Sequence, residues 1–242
     1  MAYAVRVSMM MPSDDDLPVA ATVILAREAE TGPEVLMIER PDRGSFARAW
    51  VFPGGRLEEA DRDGSETEHA AARRAGVRET EEETGLLVLA EEMVTVSRWT
   101  PPPDSPHRRI RTWFFAAPAP SGDVLLSPEE AVSHRWVQPG AALEMHARGE
   151  LMLLPPTWVT LHSLAGHGGL DSLLDAFRAS EPPHFRTMAR LQDQSPILMW
   201  FGDDEYDLVG EAGPAGGRHR LEMATLPWVY TRSEDASSNR AR

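Results

Sequence analysis

The chain has 242 residues, 42% hydrophobic and 26% charged, enough apolar material for a globular core. Its 24 basic residues stand against 38 acidic ones, a net charge of −14, so it repels polyanions and general nucleic-acid binding is not expected. The absence of cysteine excludes disulfides, thiolate metal sites and thiol nucleophiles, and leaves oxygen or imidazole to hold any metal.

Residues Met1 to Asp16 lack the basic flank and apolar run of a signal peptide. No stretch approaches the roughly 20 apolar residues of a membrane span, so the expectation is a cytoplasmic protein with no membrane partner. Val19 to Ala26 and Glu34 to Arg40 are apolar runs joined by turn residues, which predicts a hairpin. A polar loop follows, then a short strand at Trp50-Val51-Phe52 that ends in Pro53-Gly54-Gly55. A helix is predicted from about Glu66 to Thr84, with Ser65 as N-cap, Glu68 completing a capping box, and Gly85 as C-cap. Gly76 inside it costs on the order of 1 kcal/mol against alanine, which points to close packing there.

Further strands are predicted at Met93 to Trp99, Arg109 to Ala117 and Val132 to Val137. Helical spacing then covers Gln138 to Arg148, a run from Pro155-Pro156 to Gly166, and Leu170 to Phe177. Pro196 to Phe201 is a strand with a Gly202-Asp203-Asp204 turn. Alternating strands and helices predict a mixed α/β layer fold. Because elements continue on both sides of residue 150, we expect one domain over residues 18–230, a core to about 148 and a mainly helical extension from about 149. Residues 1–17 read as an N-terminal segment and 231–242 as a flexible polar tail. A homodimer is compatible with this organisation.

The chemistry is concentrated in Arg78-Glu79-Thr80-Glu81-Glu82-Glu83-Thr84-Gly85-Leu86. On a helix Glu79, Glu82 and Glu83 stand at i, i+3 and i+4 and share one face. Three such carboxylates raise one another's pKa unless a cation neutralises them, and hard divalent cations take oxygen ligands of this kind. A solvated acidic face is the plainer reading of such a run taken alone.

The run is not alone. It resembles the helix signature of the Nudix hydrolases, Arg-Glu-φ-x-Glu-Glu-x-Gly-φ with φ apolar, which Arg78, Glu79, Glu82, Glu83, Gly85 and Leu86 fit. Phe52-Pro53-Gly54-Gly55 before it and Arg135-Trp136-Val137-Gln138-Pro139 after it supply the family's context. Thr80 departs at an apolar position. The glutamate that the motif places eight positions before its arginine is Ala70 here, and Asp61 or Glu59 could take its place. Taking Gly55 as the motif glycine leaves an insertion of nine residues before the helix, whereas spacing alone would choose Gly64.

The resemblance implies the Nudix fold, a mixed sheet sandwiched between helices, and Mg²⁺- or Mn²⁺-dependent hydrolysis of a pyrophosphate linkage in a nucleotide-like small molecule. It implies that Glu79, Glu82, Glu83 and the Gly55 carbonyl hold the metal. Arg78 orients a carboxylate, and Glu79 is the general base with Glu130 in reserve. Arg40 is a candidate phosphate contact. Val51 to Leu57, Asp61, the Arg109 to Phe115 strand, Leu154-Pro155-Pro156-Thr157 and the Gly202 to Tyr206 turn resemble the coenzyme A diphosphatase-related, nudix motif 19-like subgroup. That subgroup implies coenzyme A or an acyl derivative as substrate.

The basic stretch with Arg98, His107, Arg108, Arg109 and Arg111 could then hold a 3′-phosphate. Against this, Arg111 and Trp113 depart from the subgroup's pattern, and Leu36 to Phe52 lacks the spacing of the upstream coenzyme A motif. An ADP-ribose or dinucleotide pyrophosphatase, an RNA-decapping enzyme, and a non-catalytic ligand sensor are the alternatives. The eight histidines show no ligand spacing, and Trp136 and Trp158 read as core residues.

Overall fold

The structure is a computed structural model that describes residues 14–44, 46–64, 67–208 and 211–233. Most of the expected N-terminal segment, the Ser65–Glu66 helix start and positions 234–242 of the expected tail lie outside the described residues.

Strand β1 (Val19–Arg27) is central and buried on both faces. Val19, Ala21, Val23 and Leu25 enter one apolar cluster, and Ile24 and Ala26 enter the other. This is the period-2 alternation of a strand between two layers. β1 meets β2 (Glu34–Glu39) only near their turn, at Ala26↔Val35 and Arg27↔Glu34. Beyond that point the two strands part and the chain from Trp50 to Arg56 fills the fork. Its first piece, β3 (Trp50–Val51), pairs with β2, and its second, β4 (Gly54–Arg56), pairs with β1. At the fork Val23 N–H donates to Pro53 O at 2.8 Å. This wedge delivers Gly54 and Gly55 to the middle of the sheet.

Helix α1 (Glu68–Thr84) crosses one face. Ala72 and Ala75 pack in the cluster beneath it, and a Cβ on Gly76 would come within 2.9 Å of the Val23 Cγ2 methyl. The close packing expected at Gly76 is present. The helix starts later than expected: Thr67 is the N-cap, accepting from Ala70 N–H at 3.3 Å. Glu68 does not turn back to a cap; it bonds Arg111 and Trp113 instead. Gly85 closes the helix in the left-handed region at φ 70°, as a C-cap glycine does.

The sheet continues through β5 (Val94–Thr100), which pairs with β6 (Arg111–Pro118), while β6 runs parallel to β1. β7 (Ser133–Val137) lies on the free side of β2. On the face opposite α1 lie α2 (Pro139–Ala147), α3 (Pro155–Leu164) and α4 (Leu170–Arg178). Trp158, Leu161, Leu164, Leu173 and Leu174 from α3 and α4 share a core with Ile24, Met37, Trp50 and Phe52. The architecture is thus mixed α/β with the sheet between helices.

The extension differs from the mainly helical one expected. After α4 it consists of strands. β8 (His184–Arg186) joins the large sheet beside β5. β9 (Met188–Gln192), β10 (Ser195–Met199), β13 (His219–Glu222) and β14 (Val229–Arg232) form a second sheet. β11 (Asp207–Leu208) and β12 (Glu211–Ala212) make a small hairpin. Of these, β10 overlaps the strand expected at Pro196 to Phe201; the others have five residues at most, so their apolar alternation is too brief to stand out in the sequence. Thr231 and Arg232, expected in the tail, belong to β14.

Candidate functional site

Three segments converge on the last two turns of α1. The β3–β4 wedge brings Gly54 and Gly55. The loop before β7 is fastened to the helix end by Leu125 N–H on Thr84 O (2.8 Å) and Ser127 N–H on Glu83 O (3.1 Å), and it brings Glu130. The loop after β2 brings Arg40, and Arg43 of the same loop donates to Glu129 O at 2.8 Å.

Glu83 is 6% exposed and points at the wedge, where Gly54 N–H donates to its Oε2 at 2.8 Å. Burial, reinforced by the Glu79 and Glu130 carboxylates, pushes its carboxyl up to about 8 against the opposing pull of the Gly54 amide and Arg40. Glu79 is also raised, first by burial and then by Glu82 and Glu130, with Arg78 pulling the other way. Its carboxylate lies flat against Gly55, and a Cβ there would overlap it. Only glycine leaves room for the carboxylate at that position.

Arg78 organises the remaining acids. Its Nη1 donates to Glu79 Oε1 at 2.9 Å and to Glu82 Oε2 at 3.0 Å. Its Nε and Nη2 face both oxygens of Asp61 at 3.1 and 2.9 Å, and Nη2 also meets Arg56 O at 2.9 Å. Burial works to raise Asp61, but the Arg78 bonds and the Glu58 amide outweigh it and hold the carboxyl below its usual range. Thr80, the residue out of pattern, is fully buried; its hydroxyl donates to Gly76 O at 2.7 Å, so a polar side chain is satisfied at an apolar position.

The NUDIX domain family matches residues 16–154, more than half of the chain. The chain belongs to the NUDIX domain family. It is accordingly a Nudix pyrophosphohydrolase. Among solved structures it is similar to a NUDIX hydrolase from Alicyclobacillus acidocaldarius, with 21% identity and TM-score 0.58 over 66% of this chain and 96% of that one. It also matches a MutT NUDIX hydrolase from Burkholderia pseudomallei (22% identity, TM-score 0.44, 60% and 95% coverage). A third match is the NUDIX domain of Shewanella oneidensis NrtR complexed with ADP ribose (14%, 0.43, 55% and 84%). No curated protein matches.

Nudix hydrolases use divalent cations, and the residues present here fit one. The donor set is all oxygen, and Gly55, having no Cβ, lets its main chain lie directly beside the Glu79 carboxylate. Glu79, Glu82, Glu83, Gly55, Arg78, Glu130 and Arg40 are thus brought to the same end of α1. Gly54 joins the site through its N–H to Glu83, and the glycine doublet is the feature of the sequence that signals it.

Arg108, Arg109 and Arg111 are not brought to this Nudix site. Arg111, with its side chain 3% exposed, bonds Glu68, Asp15 and the Asp14 carbonyl. Arg109 pairs with Asp14 at 2.8 Å, and Arg108 is exposed. Glu68 opens α1, so this cluster lies about 16–21 Å along the helix from Glu79 and Glu82 at 1.5 Å per residue. The Asp203-Asp204-Glu205 turn gathers three acids whose oxygens lie within 4.8 Å of one another, but Arg220 and Arg218 already hold them. Trp158 is buried in the core, and Trp136 carries the Arg27 guanidinium on its ring at 4.3 Å. No helix among the described residues is long and apolar enough to cross a membrane.

Proposed function

We propose that the chain hydrolyses a pyrophosphate linkage in a nucleoside-diphosphate-linked small molecule at the C-terminal end of α1, with Mg²⁺ or Mn²⁺ held by Glu79, Glu82, Glu83 and the Gly55 carbonyl. The observation that carries this reading is the meeting of three acids at the end of α1: the Glu130 carboxylate helps to raise both Glu79 and Glu83, and Glu79 helps to raise Glu83. Such a concentration of negative charge is costly without a cation.

A bound divalent cation supplies charge neutralisation for the phosphate oxygens and a more acidic attacking water. The chain's own groups do the rest. Glu79 accepts the proton as the water oxygen forms its bond to phosphorus and the bridging P–O bond breaks, and Glu130 is the second candidate for that proton. Arg78 is a positioning group that fixes Glu79 and Glu82. Arg40, whose charge reaches Glu83, is the proposed contact for a substrate phosphate. Residues 18–230 act in this reading as one domain, because α3 and α4 share the core of β1 and β2.

Within this class, coenzyme A or an acyl derivative is the finer proposal, and what supports it is the outer motifs from Val51 to Leu57 and from Gly202 to Tyr206. A 3′-phosphate sits one ribose away from the diphosphate, too near to reach the distant arginines, so Arg109 and Arg111 give that proposal no support. Comparison of kcat/KM for coenzyme A, 3′-dephospho-coenzyme A, ADP-ribose and NADH tests it. A preference for the first is the expected result, and a clear preference for ADP-ribose or NADH leaves only the broader reading.

A further inference from the structure

We propose that Asp61 is the positioning residue of the glutamate helix, acting through Arg78 in place of the acid that the chain lacks at Ala70. The inference rests on the reading that Glu79 and Glu82 help hold the cation.

Asp61 closes a short 3-10 turn, Glu59–Asp61, inside the nine-residue insertion between Gly55 and α1. Insertions of this kind are normally solvated, yet Asp61 is 4% exposed. Its two oxygens meet Nε and Nη2 of Arg78 in a paired geometry that fixes the plane of the guanidinium as well as its place. Asp61 is itself immobilised: Glu58 N–H donates to Oδ2 at 2.8 Å, and Arg74 Nε donates to its carbonyl at 2.8 Å. With one edge of the Arg78 fork held by Asp61, the remaining nitrogen, Nη1, is aimed at Glu79 and Glu82 together.

Charge gives the arrangement a second consequence. An unpaired guanidinium would draw Glu79 and Glu82 into ion pairs of its own and compete with a cation for them. Asp61 balances the Arg78 charge, so the guanidinium orients those two carboxylates while their negative charge stays available. Glu59, the other acid of the insertion, cannot do this. Its side chain is 93% exposed and its ion pair is with Arg62 at 3.6 Å.

The test is Mn²⁺ titration of the full chain, wild type against Asp61→Asn, Asp61→Ala, Glu59→Gln, Arg78→Lys and the Asp61→Asn/Arg78→Lys double variant, with melting curves on each. Asparagine keeps an oxygen for the Glu58 amide, so the turn survives in Asp61→Asn even if Asp61→Ala fails to fold. The expected result is a Kd for Mn²⁺ about 10- to 100-fold weaker in Asp61→Asn, the usual scale for partners of metal ligands. Glu59→Gln should bind as wild type does. The double variant should be no weaker than Arg78→Lys alone, because both changes break one linkage. A group that merely holds the turn would lower the melting temperature, leave Kd unmoved and add its effect to that of Arg78→Lys. Unchanged Mn²⁺ affinity in a folded Asp61→Asn, additive effects, or an equal loss in Glu59→Gln would overturn the proposal. Wild-type Mn²⁺ affinity in Glu82→Gln would instead overturn the underlying reading of the metal site.

Discussion

The main-chain N–H of Gly54 donates to Oε2 of Glu83 at 2.8 Å across the seam between the β3–β4 wedge and the end of α1. A buried acid is thereby locked to a strand that is itself locked into the fork between β1 and β2. The position of the Glu83 carboxylate is set by the fold and not by solvent.

That burial has a pH signature. An unfolded glutamate titrates near 4.5, whereas Glu83 in the native chain is pushed up to about 8. Between those values the native state keeps a proton that the unfolded state has lost, so the stability of the metal-free protein falls as pH rises from 4.5 toward 8. Melting temperatures in EDTA at pH 5 and pH 8.5 should therefore show a drop. Glu83→Gln, which keeps an acceptor for Gly54, should reduce that drop, and Mg²⁺ should reverse it by taking the place of the proton. An identical pH profile in wild type and Glu83→Gln would remove the assignment.

Gly55→Ala tests the cradle. Gly55 pairs with Ala21 in the sheet and its φ needs no left-handed backbone, so the added methyl collides first with the Glu79 carboxylate. Turnover should drop by about 100-fold, the scale of an ångström-sized misplacement of a reacting group. The melting temperature should change little. Normal turnover in Gly55→Ala would mean that Glu79 does not need this position.

The arginine cluster makes a contrasting prediction. Arg111 is buried while its partners Glu68 and Asp15 reach solvent, so losing its charged hydrogen bonds costs about 1–3 kcal/mol. Arg111→Ala should lower stability on that scale, measured by urea unfolding. In the fraction that remains folded, KM for every substrate tested should stay within about twofold, since the expected effect is on structure alone. A KM rise confined to substrates carrying a 3′-phosphate would return these arginines to the binding site.

The sequence made the glutamate helix legible because its signals are local. The i, i+3, i+4 spacing and the Gly85 cap depend on residues within a few turns, and Gly76 stands out as a glycine inside a helix although its neighbours Val23 and Ala21 are distant in sequence. Thr80 looked out of place only because sequence does not display the Gly76 carbonyl that satisfies it. The choice between Asp61 and Glu59 was invisible because both lie in an insertion whose path is decided by Arg74 and Arg78. The arginine cluster read as a phosphate site because its partners, Asp14 and Glu68, lie 95 and 43 residues away from Arg109 and Arg111. Helices α3 and α4 announced themselves by apolar spacing, as did β10 by its apolar run, while the other strands from β8 to β14 are too short to do so.

The most direct measurement is phosphate-linked turnover of a panel containing coenzyme A, ADP-ribose and a dinucleotide, with wild type, Glu82→Gln and excess EDTA side by side. Glu82 has its side chain 58% exposed and pairs with Arg78 at the surface, so its replacement should leave folding intact while removing a proposed cation ligand. We predict that wild type cleaves at least one of these in Mg²⁺ or Mn²⁺. Glu82→Gln should lose several orders of magnitude in kcat at an unchanged melting temperature, and EDTA should abolish wild-type turnover. Undiminished hydrolysis by Glu82→Gln, or in EDTA, would contradict the account.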